Sequence, residues 1–308
     1  MRTLGKNGIA VSPIGIGTWA WGERGWGFGD SFGESDIHAA FHASLDAGVN
    51  FFDTAEIYGT GDSERYLGKY LSASGKKIVI ATKYAPIRMR FPGRNVLSAL
   101  RGSLNRLGVE RVDLYQIHWH DRLMSMKLLA RGFSGAVKDG LATAVGVSKF
   151  TVPLMKQFRD ELGRHGVPLA SNQVHYNLLH REPERNGVLD ACRELDVALI
   201  AYSPLAMGVL SGKYSEIHPP PGFRAARYPA DFLKRIRDII GLMREIGSAH
   251  GGKTPSQVAI NWVISKGAIP IPGAKNAAQA TENCGAMGWS LDADEIRALE
   301  AASESVQL

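Results

Sequence analysis

The chain has 308 residues, 44% of them hydrophobic, enough for a large core and for either about two domains or one α/β barrel. No apolar run reaches about 18 residues, which argues against a membrane span. The net charge is +6, but Lys and Arg are spread along the whole chain with no dense basic run; this disfavours a nucleic-acid partner and fits attraction of an anionic small molecule.

In chain order, Met1 to Ser12 reads as a polar hairpin, with Arg2-Thr3-Leu4 and Ile9-Ala10-Val11 flanking Lys6-Asn7-Gly8. It lacks the apolar centre of a signal peptide, and no transit peptide is visible. Residues 14–18 fit either a short strand or a loop. From about residue 33, apolar runs alternate with helix-period segments. The strand candidates are residues 50–53, 77–83, 112–118, 144–148, 169–174, 198–203 and 268–272. Between them, Ile37, Phe41 and Leu45 recur at four-residue spacing before Gly48, and Val96, Leu100, Leu104 and Leu107 make a similar stripe before Gly108. Thr254-Pro255-Ser256-Gln257 reads as a capping box that opens a helix with Pro in its first turn.

Alternation of this kind predicts a parallel sheet with helices outside, and evenly spaced short strands favour a closed (β/α)8 TIM barrel over an open sheet. No linker divides the chain, so residues 1–308 are expected to form a single barrel domain with an N-terminal β-hairpin. Three segments break the rhythm: residues 22–33, 85–94 and 205–231. They are expected as long loops over the C-terminal face, where such loops carry function. Cys192 and Cys284 lie among helical residues and read as buried thiols, which fits a reducing cytoplasm.

Several motifs mislead. Gly15-Ile16-Gly17-Thr18-Trp19-Ala20 matches the loose G-x-G-x-x-A dinucleotide pattern, but Trp21-Gly22 and further glycines follow where that pattern needs a helix. Gly208-Val209-Leu210-Ser211-Gly212-Lys213 is one residue short of a phosphate-binding loop, and Tyr214 stands where Ser or Thr is needed. His118-Trp119-His120 offers two histidines on one strand face, too few for a metal without a further ligand at suitable spacing. Gly146-Val147-Ser148-Lys149-Phe150 lacks the second glycine of a nucleophile elbow.

One constellation survives. Three successive strands end in different ionisable residues: Asp53, Lys83 and His118. Adjacent strands lie about 5 Å apart, so the three side chains can converge, and Tyr58 can return to them from the loop after Asp53. A phenol beside an ammonium favours its ionised form, and a carboxylate beyond the lysine keeps that lysine charged. Such a group can deliver a proton to a nascent alkoxide, as carbonyl reduction requires. On pattern alone, a buried Asp53–Lys83 ion pair without catalysis remains an equal reading.

The sequence resembles the aldo-keto reductases, a (β/α)8 barrel family using a nicotinamide cofactor, over nearly its whole length. The resemblance rests on Gly17-Thr18-Trp19, Phe52-Asp53-Thr54-Ala55 with Tyr58-Gly59, Ala81-Thr82-Lys83, Asp113-Leu114-Tyr115-Gln116-Ile117-His118, Gly146-Val147-Ser148, Gln173-Val174, Tyr202-Ser203-Pro204-Leu205 and Ile271-Pro272-Gly273-Ala274-Lys275. It implies a catalytic tetrad of Asp53, Tyr58, Lys83 and His118, with Tyr58 as general acid. It places cofactor contacts at Gly17, Thr18 and Trp19, with Ser148 and Gln173 at the carboxamide and Tyr202 stacked on the nicotinamide. Ser203, Pro204, Leu205, Gly208 and Leu210 would follow the pyrophosphate, and Gly273, Lys275, Gln279, Glu282 and Asn283 would surround the adenosine end. Lys275 suits a 2′-phosphate, so NADPH is the expected cofactor. Lys149 departs from the pattern, since many members carry Asn there.

Within the family the nearest likeness is to the pyridoxal reductase type of plants and related bacterial proteins, carried by Trp19-Ala20-Trp21-Gly22, His118-Trp119, Ala259-Ile260-Asn261-Trp262 and Gly285-Ala286-Met287-Gly288-Trp289. It makes the expected partner a small-molecule carbonyl compound, with pyridoxal a candidate. Trp19, Trp21, Trp26, Tyr84 and Trp119 are candidate substrate walls, each also readable as core or lid packing. Arg88 and Arg90 read either as solvated or as facing an anionic substrate group. A second reading of the same likeness is a regulatory nicotinamide-binding module, as the potassium-channel β subunits are in this family.

Overall fold

A computed structural model describes residues 1–87 and 94–306. The strands are β1 (Arg2–Leu4), β2 (Ile9–Val11), β3 (Ile16–Gly17), β4 (Phe51–Asp53), β5 (Val79–Tyr84), β6 (Val112–Ile117), β7 (Ala142–Ser148), β8 (Leu169–His175), β9 (Ala198–Tyr202) and β10 (Ile269–Ile271). The helices are α1 (Glu34–Asp46), α2 (Asp62–Ser74), α3 (Arg94–Leu107), α4 (Met126–Lys138), α5 (Val152–Gly163), α6 (Glu182–Arg185), α7 (Val188–Glu194), α8 (Phe223–Arg227), α9 (Ala230–Arg235), α10 (Arg237–Ala249), α11 (Pro255–Ser265), α12 (Ala277–Cys284) and α13 (Ala293–Glu304).

Strands β3 to β10 pair in parallel in chain order. The ring closes where the amides of Gly15 and Gly17 donate to the carbonyls of Pro270 and Pro272 at 2.9 and 3.0 Å. The expected TIM barrel is present. The ambiguous segment at residues 14–18 is the first barrel strand, short but essential to closure.

Side chains alternate across each strand, so one set fills the barrel and the other meets the helices. The inner set is Phe51, Val79, Ala81, Leu114, Ala144, Ala170, Ile200, Ile269 and Ile271, all buried. The β1–β2 hairpin stoppers the bottom of the barrel with Leu4 and Val11, both fully buried against that set. Each such aliphatic burial stabilises the fold by about 1.5–3 kcal/mol. Gly5, at φ +52°, lets the hairpin lie on the barrel, because a Cβ there would stand 2.7 Å from the Ala170 carbonyl oxygen.

The outer layer is set by the periodic apolar stripes. Ile37 and Phe41 of α1, and Val96, Leu100, Leu104 and Leu107 of α3, are all buried. The Thr254 capping box forms as expected, with Gln257 N donating to Thr254 Oγ1 at 3.3 Å and Thr254 N donating to Gln257 Oε1 at 3.0 Å. Gly68 of α2 rests directly on the end of α3, where a Cβ would come within 2.3 Å of the Leu107 carbonyl oxygen. Backbone cannot retreat as a flexible side chain does, so Gly68→Ala is expected to cost about 1–3 kcal/mol, read as a lower urea midpoint with an unchanged slope.

The segment at residues 205–231 departs from a plain loop, since it carries a short helical stretch at Ala206–Ser211 and the helix α8. Arg88 and Arg90 lie outside the described residues. Among the described residues no helix is long and apolar enough to cross a membrane. Cys192 and Cys284 are buried free thiols, and burial pushes them up to about 12 and about 11.

Candidate active site at the C-terminal mouth of the barrel

Asp53 is the last residue of β4 and points into the barrel, 1% exposed. Lys83, next to last in β5, is fully buried beside it. The Lys83 ammonium has three donors, and each is used: it bonds Asp53 Oδ2, the Thr54 carbonyl at 2.8 Å and the Tyr58 hydroxyl at 3.3 Å. Because the phenol oxygen accepts from lysine, its own hydrogen is free to point elsewhere. Tyr58 opens a short helical turn, Tyr58–Gly61, reached through residues 54–57 after the strand ends.

The other carboxylate oxygen of Asp53 accepts from the side-chain amides of Gln116 at 3.0 Å and Gln173 at 2.8 Å. Gln116 was not among the expected site residues. It stands on β6, two positions before His118, so continuing the strand's alternation puts both on the inner face, and that spacing was the available signal.

His118 follows β6 and is 8% exposed. Its ring meets Tyr58 edge-on at 5.5 Å, and its Nδ1 is buried without a hydrogen-bond partner among the described residues. Burial, then the charges of Lys83 and Lys149, push it down to about 2. Both causes disfavour the imidazolium, so the imidazole is held neutral around neutral pH. Burial holds the Tyr58 phenol above its ordinary value, against the pull of Lys83 and with a push from Asp53. The ammonium lowers this value as expected, but desolvation by burial outweighs it and the net shift is upward. Lys83 is held above its ordinary value: Asp53 and Tyr58 together overcome the burial that opposes its charge. The assembled group is thus a neutral phenol, an ammonium and a neutral imidazole.

Other expected residues divide between the mouth and the interior. Trp19 is 42% exposed and lies 6.1 Å from the Tyr58 ring in a stacked arrangement. Trp119 is half-buried against His118 at 5.0 Å. Trp21 and Tyr84 present no surface to the mouth: both are fully buried. Trp21 donates to the Ala274 carbonyl at 2.9 Å and packs on Tyr70 of α2, whereas Tyr84 points outward from β5 onto Phe133 of α4. Neither can line a substrate pocket here. Thr18 is likewise fully buried, bonded to Ser63 Oγ at 2.7 Å and to the Asp53 carbonyl at 3.1 Å, so it supports the site from behind.

Ser148 ends β7 and donates to the Gln173 carbonyl at 2.9 Å. Tyr202 ends β9, and His175 stacks parallel to it at 5.2 Å, with His180 on His175 at 4.1 Å. Burial, then the neighbouring His180, Arg227 and Lys149, hold His175 down to about 3. After Tyr202 the backbone turns through positive φ at Ser203, Ala206, Met207 and Gly208. Runs of this kind make concave nests of N–H groups that suit an anion. Pro204 and Leu210 are buried, while Ser203, Leu205 and Gly208 keep some exposure.

Lys275, Gln279, Glu282 and Asn283 shape the turn between β10 and α12. Gln279 Oε1 accepts from the Lys275 amide at 3.0 Å, Asn283 donates to the Gly273 carbonyl at 3.2 Å, and Glu282 accepts from Thr254 Oγ1 at 3.0 Å. The Lys275 ammonium donates to the Trp26 carbonyl at 2.6 Å. Trp26 also meets Phe223 at 5.4 Å and lies 5.5 Å from the Arg224 guanidinium, so the segments at residues 22–33 and 205–231 touch across the mouth. Burial, then the like charges of Arg224 and Lys213, push Lys275 down to about 8. Three cations are thus held close together near the nest, a donor set suited to phosphate.

Among the described residues no three His, Cys, Asp or Glu side chains are grouped to hold a metal. A cleft of about 390 Å³ opens at the opposite end of the barrel beside Arg2, Cys192 and Lys266, and it is lined by none of the residues at the C-terminal mouth. Convergence at the strand ends, not cavity size, locates the site.

The family model described as the Aldo/keto reductase family matches residues 13–304. The chain is 39% identical over 312 residues to a chloroplastic pyridoxal reductase of Arabidopsis thaliana, covering 96% of this chain and 85% of that protein. The structure resembles the glycerol dehydrogenase of Gluconobacter oxydans with a TM-score of 0.83 at 28% identity, covering 96% of this chain and 92% of the other. It resembles a thermostable aldo-keto reductase solved with the inhibitor epalrestat with a TM-score of 0.79 at 26% identity, covering 98% of each. A parallel barrel gathers Asp53, Tyr58, Lys83 and His118 at one end, and the match runs nearly from end to end: the chain belongs to the aldo/keto reductase family.

Proposed function

We propose that the protein reduces an aldehyde or ketone to an alcohol with NADPH, using Tyr58 as proton donor. The observation that carries this reading is the Lys83 ammonium, which spends its third donor on the Tyr58 oxygen and so frees the phenol hydrogen. When bound, the reduced nicotinamide supplies the hydride. The proton is this chain's contribution: Tyr58 gives it to the carbonyl oxygen as that oxygen gains charge. Lys83 then stabilises the phenolate left behind, and Asp53 keeps Lys83 placed. Neutral His118 orients the carbonyl by hydrogen bonding. A phenol held protonated suits reduction, where the acid must carry its proton until the hydride arrives.

The cation cluster of Lys213, Arg224 and Lys275 supports the phosphorylated cofactor over NADH, because a 2′-phosphate relieves their mutual repulsion. Gln173 already donates its amide hydrogen to Asp53, so it would meet the cofactor's carboxamide through its oxygen. We take residues 1–308 as one catalytic unit acting in the cytoplasm, where two buried thiols stay reduced.

Pyridoxal is the substrate we propose first, from the likeness to the plant enzyme. Trp19 and Trp119, at the mouth, offer flat apolar walls to a planar ring. The test follows NADPH oxidation with pyridoxal beside a panel of aldehydes and ketones, with pyridoxine identified as product. Turnover of other carbonyls without pyridoxal removes that substrate and keeps the reductase. No NADPH oxidation with any carbonyl overturns the reading and leaves a regulatory cofactor-binding module.

A further inference from the structure

Lys149 directly follows Ser148 at the end of β7 and has a left-handed backbone, φ +61°. That conformation favours Gly or Asn, and a lysine adopts it only against steric cost. The surroundings hold it there: its amide donates to the Gln173 carbonyl at 2.9 Å, the same oxygen that accepts from Ser148 Oγ. Although the residue keeps solvent exposure, its ammonium reaches over the mouth to 5.8 Å from the centre of the Tyr202 ring. Burial and the like charge of Lys83 both disfavour its charged form. Its own charge in turn acts on His118 and His175. A strained backbone that places a cation among other cations points to a role for the charge.

We propose that Lys149 makes this site discriminate between the two redox forms of its cofactor, favouring NADPH over NADP⁺ by electrostatic repulsion of the oxidised ring. The inference rests on the cofactor reading above, with the nicotinamide on Tyr202. The two forms carry the same phosphates and differ by one positive charge, located on the nicotinamide ring. A fixed cation beside Tyr202 therefore opposes NADP⁺ and leaves the neutral reduced ring untouched. A unit charge pair about 6 Å apart in bulk water corresponds to about threefold in affinity, and partial exclusion of water increases the factor. The arrangement loads the barrel with reduced cofactor and favours release of the oxidised product, while the overall equilibrium of the reaction is unchanged.

The experiment is a calorimetric titration of the full-length protein with NADPH and with NADP⁺, for the parent, Lys149→Asn, Lys149→Met and Lys149→Arg. Asn suits the left-handed backbone and keeps a hydrogen-bonding side chain, so folding is not at risk in that variant. The expected result is that the ratio of the NADP⁺ to the NADPH dissociation constant falls about threefold or more in the Asn and Met variants and is retained in Arg. A purely structural role weakens both forms alike and leaves the ratio fixed; an unchanged ratio in Asn and Met overturns the proposal. A parent protein that binds neither form refutes the cofactor reading itself, and the two failures are thereby distinct.

Discussion

Tyr58→Phe is expected to lower turnover by about 10²–10⁴-fold while NADPH affinity stays within a few-fold of the parent. The substitution removes one oxygen and nothing else. The ring keeps its edge-on contact with His118 and its stack with Trp19, so the mouth keeps its shape. What disappears is the acid that meets the carbonyl oxygen. Burial holds that phenol protonated, and the Lys83 ammonium stabilises its conjugate base. Neutral His118 cannot replace it, since an imidazole pushed down to about 2 carries no spare proton near neutrality. Steady-state kinetics with a reactive aldehyde, paired with a cofactor titration, checks the claim. Turnover at the parent rate would show that some other group delivers the proton.

Lys83→Met is expected to damage both the fold and the chemistry. The lysine is fully buried, and its removal leaves the Asp53 carboxylate in the barrel with the two amide donors Gln116 and Gln173. Breaking a buried pair from one side costs about 3–5 kcal/mol, because the remaining charge loses its partner but not its burial. Chemical denaturation reads this as a lower midpoint. Turnover falls as well, since Tyr58 loses the cation that fixes its oxygen. The double variant Lys83→Met with Asp53→Asn separates the two effects. It removes the stranded charge and recovers part of the stability, while activity stays low.

Much of the barrel was legible in the sequence, because buried parallel strands read as short apolar runs ended by polar residues. Residues 112–118 and 169–174 differ from β6 and β8 by one residue at one end. The convergence of Asp53, Lys83 and His118 was legible for the same reason, since each closes such a run. Side-chain direction within those runs was less well used. Lys83 points inward, so Tyr84, its neighbour, had to point outward onto Phe133, and alternation alone excludes it from the pocket. Trp21 was not readable in this way, because it lies in a loop whose path no periodicity fixes. The short helices α8 and α9 escaped for a similar reason: five or six residues do not repeat a helical face often enough to show a stripe. The direction of the Tyr58 shift depended on burial, which composition does not reveal.

Asp53 has a consequence beyond proton chemistry. Its carboxylate is tied to Lys83 on β5, Gln116 on β6 and Gln173 on β8. Since β8 stands four places from β4 in a ring of eight, the bond to Gln173 crosses the barrel's full width. The hairpin seals one end of the cylinder, and this carboxylate braces the other. A mouth braced in this way is expected to lose its catalytic geometry together with the barrel wall, so that melts followed by activity and by circular dichroism should share one midpoint.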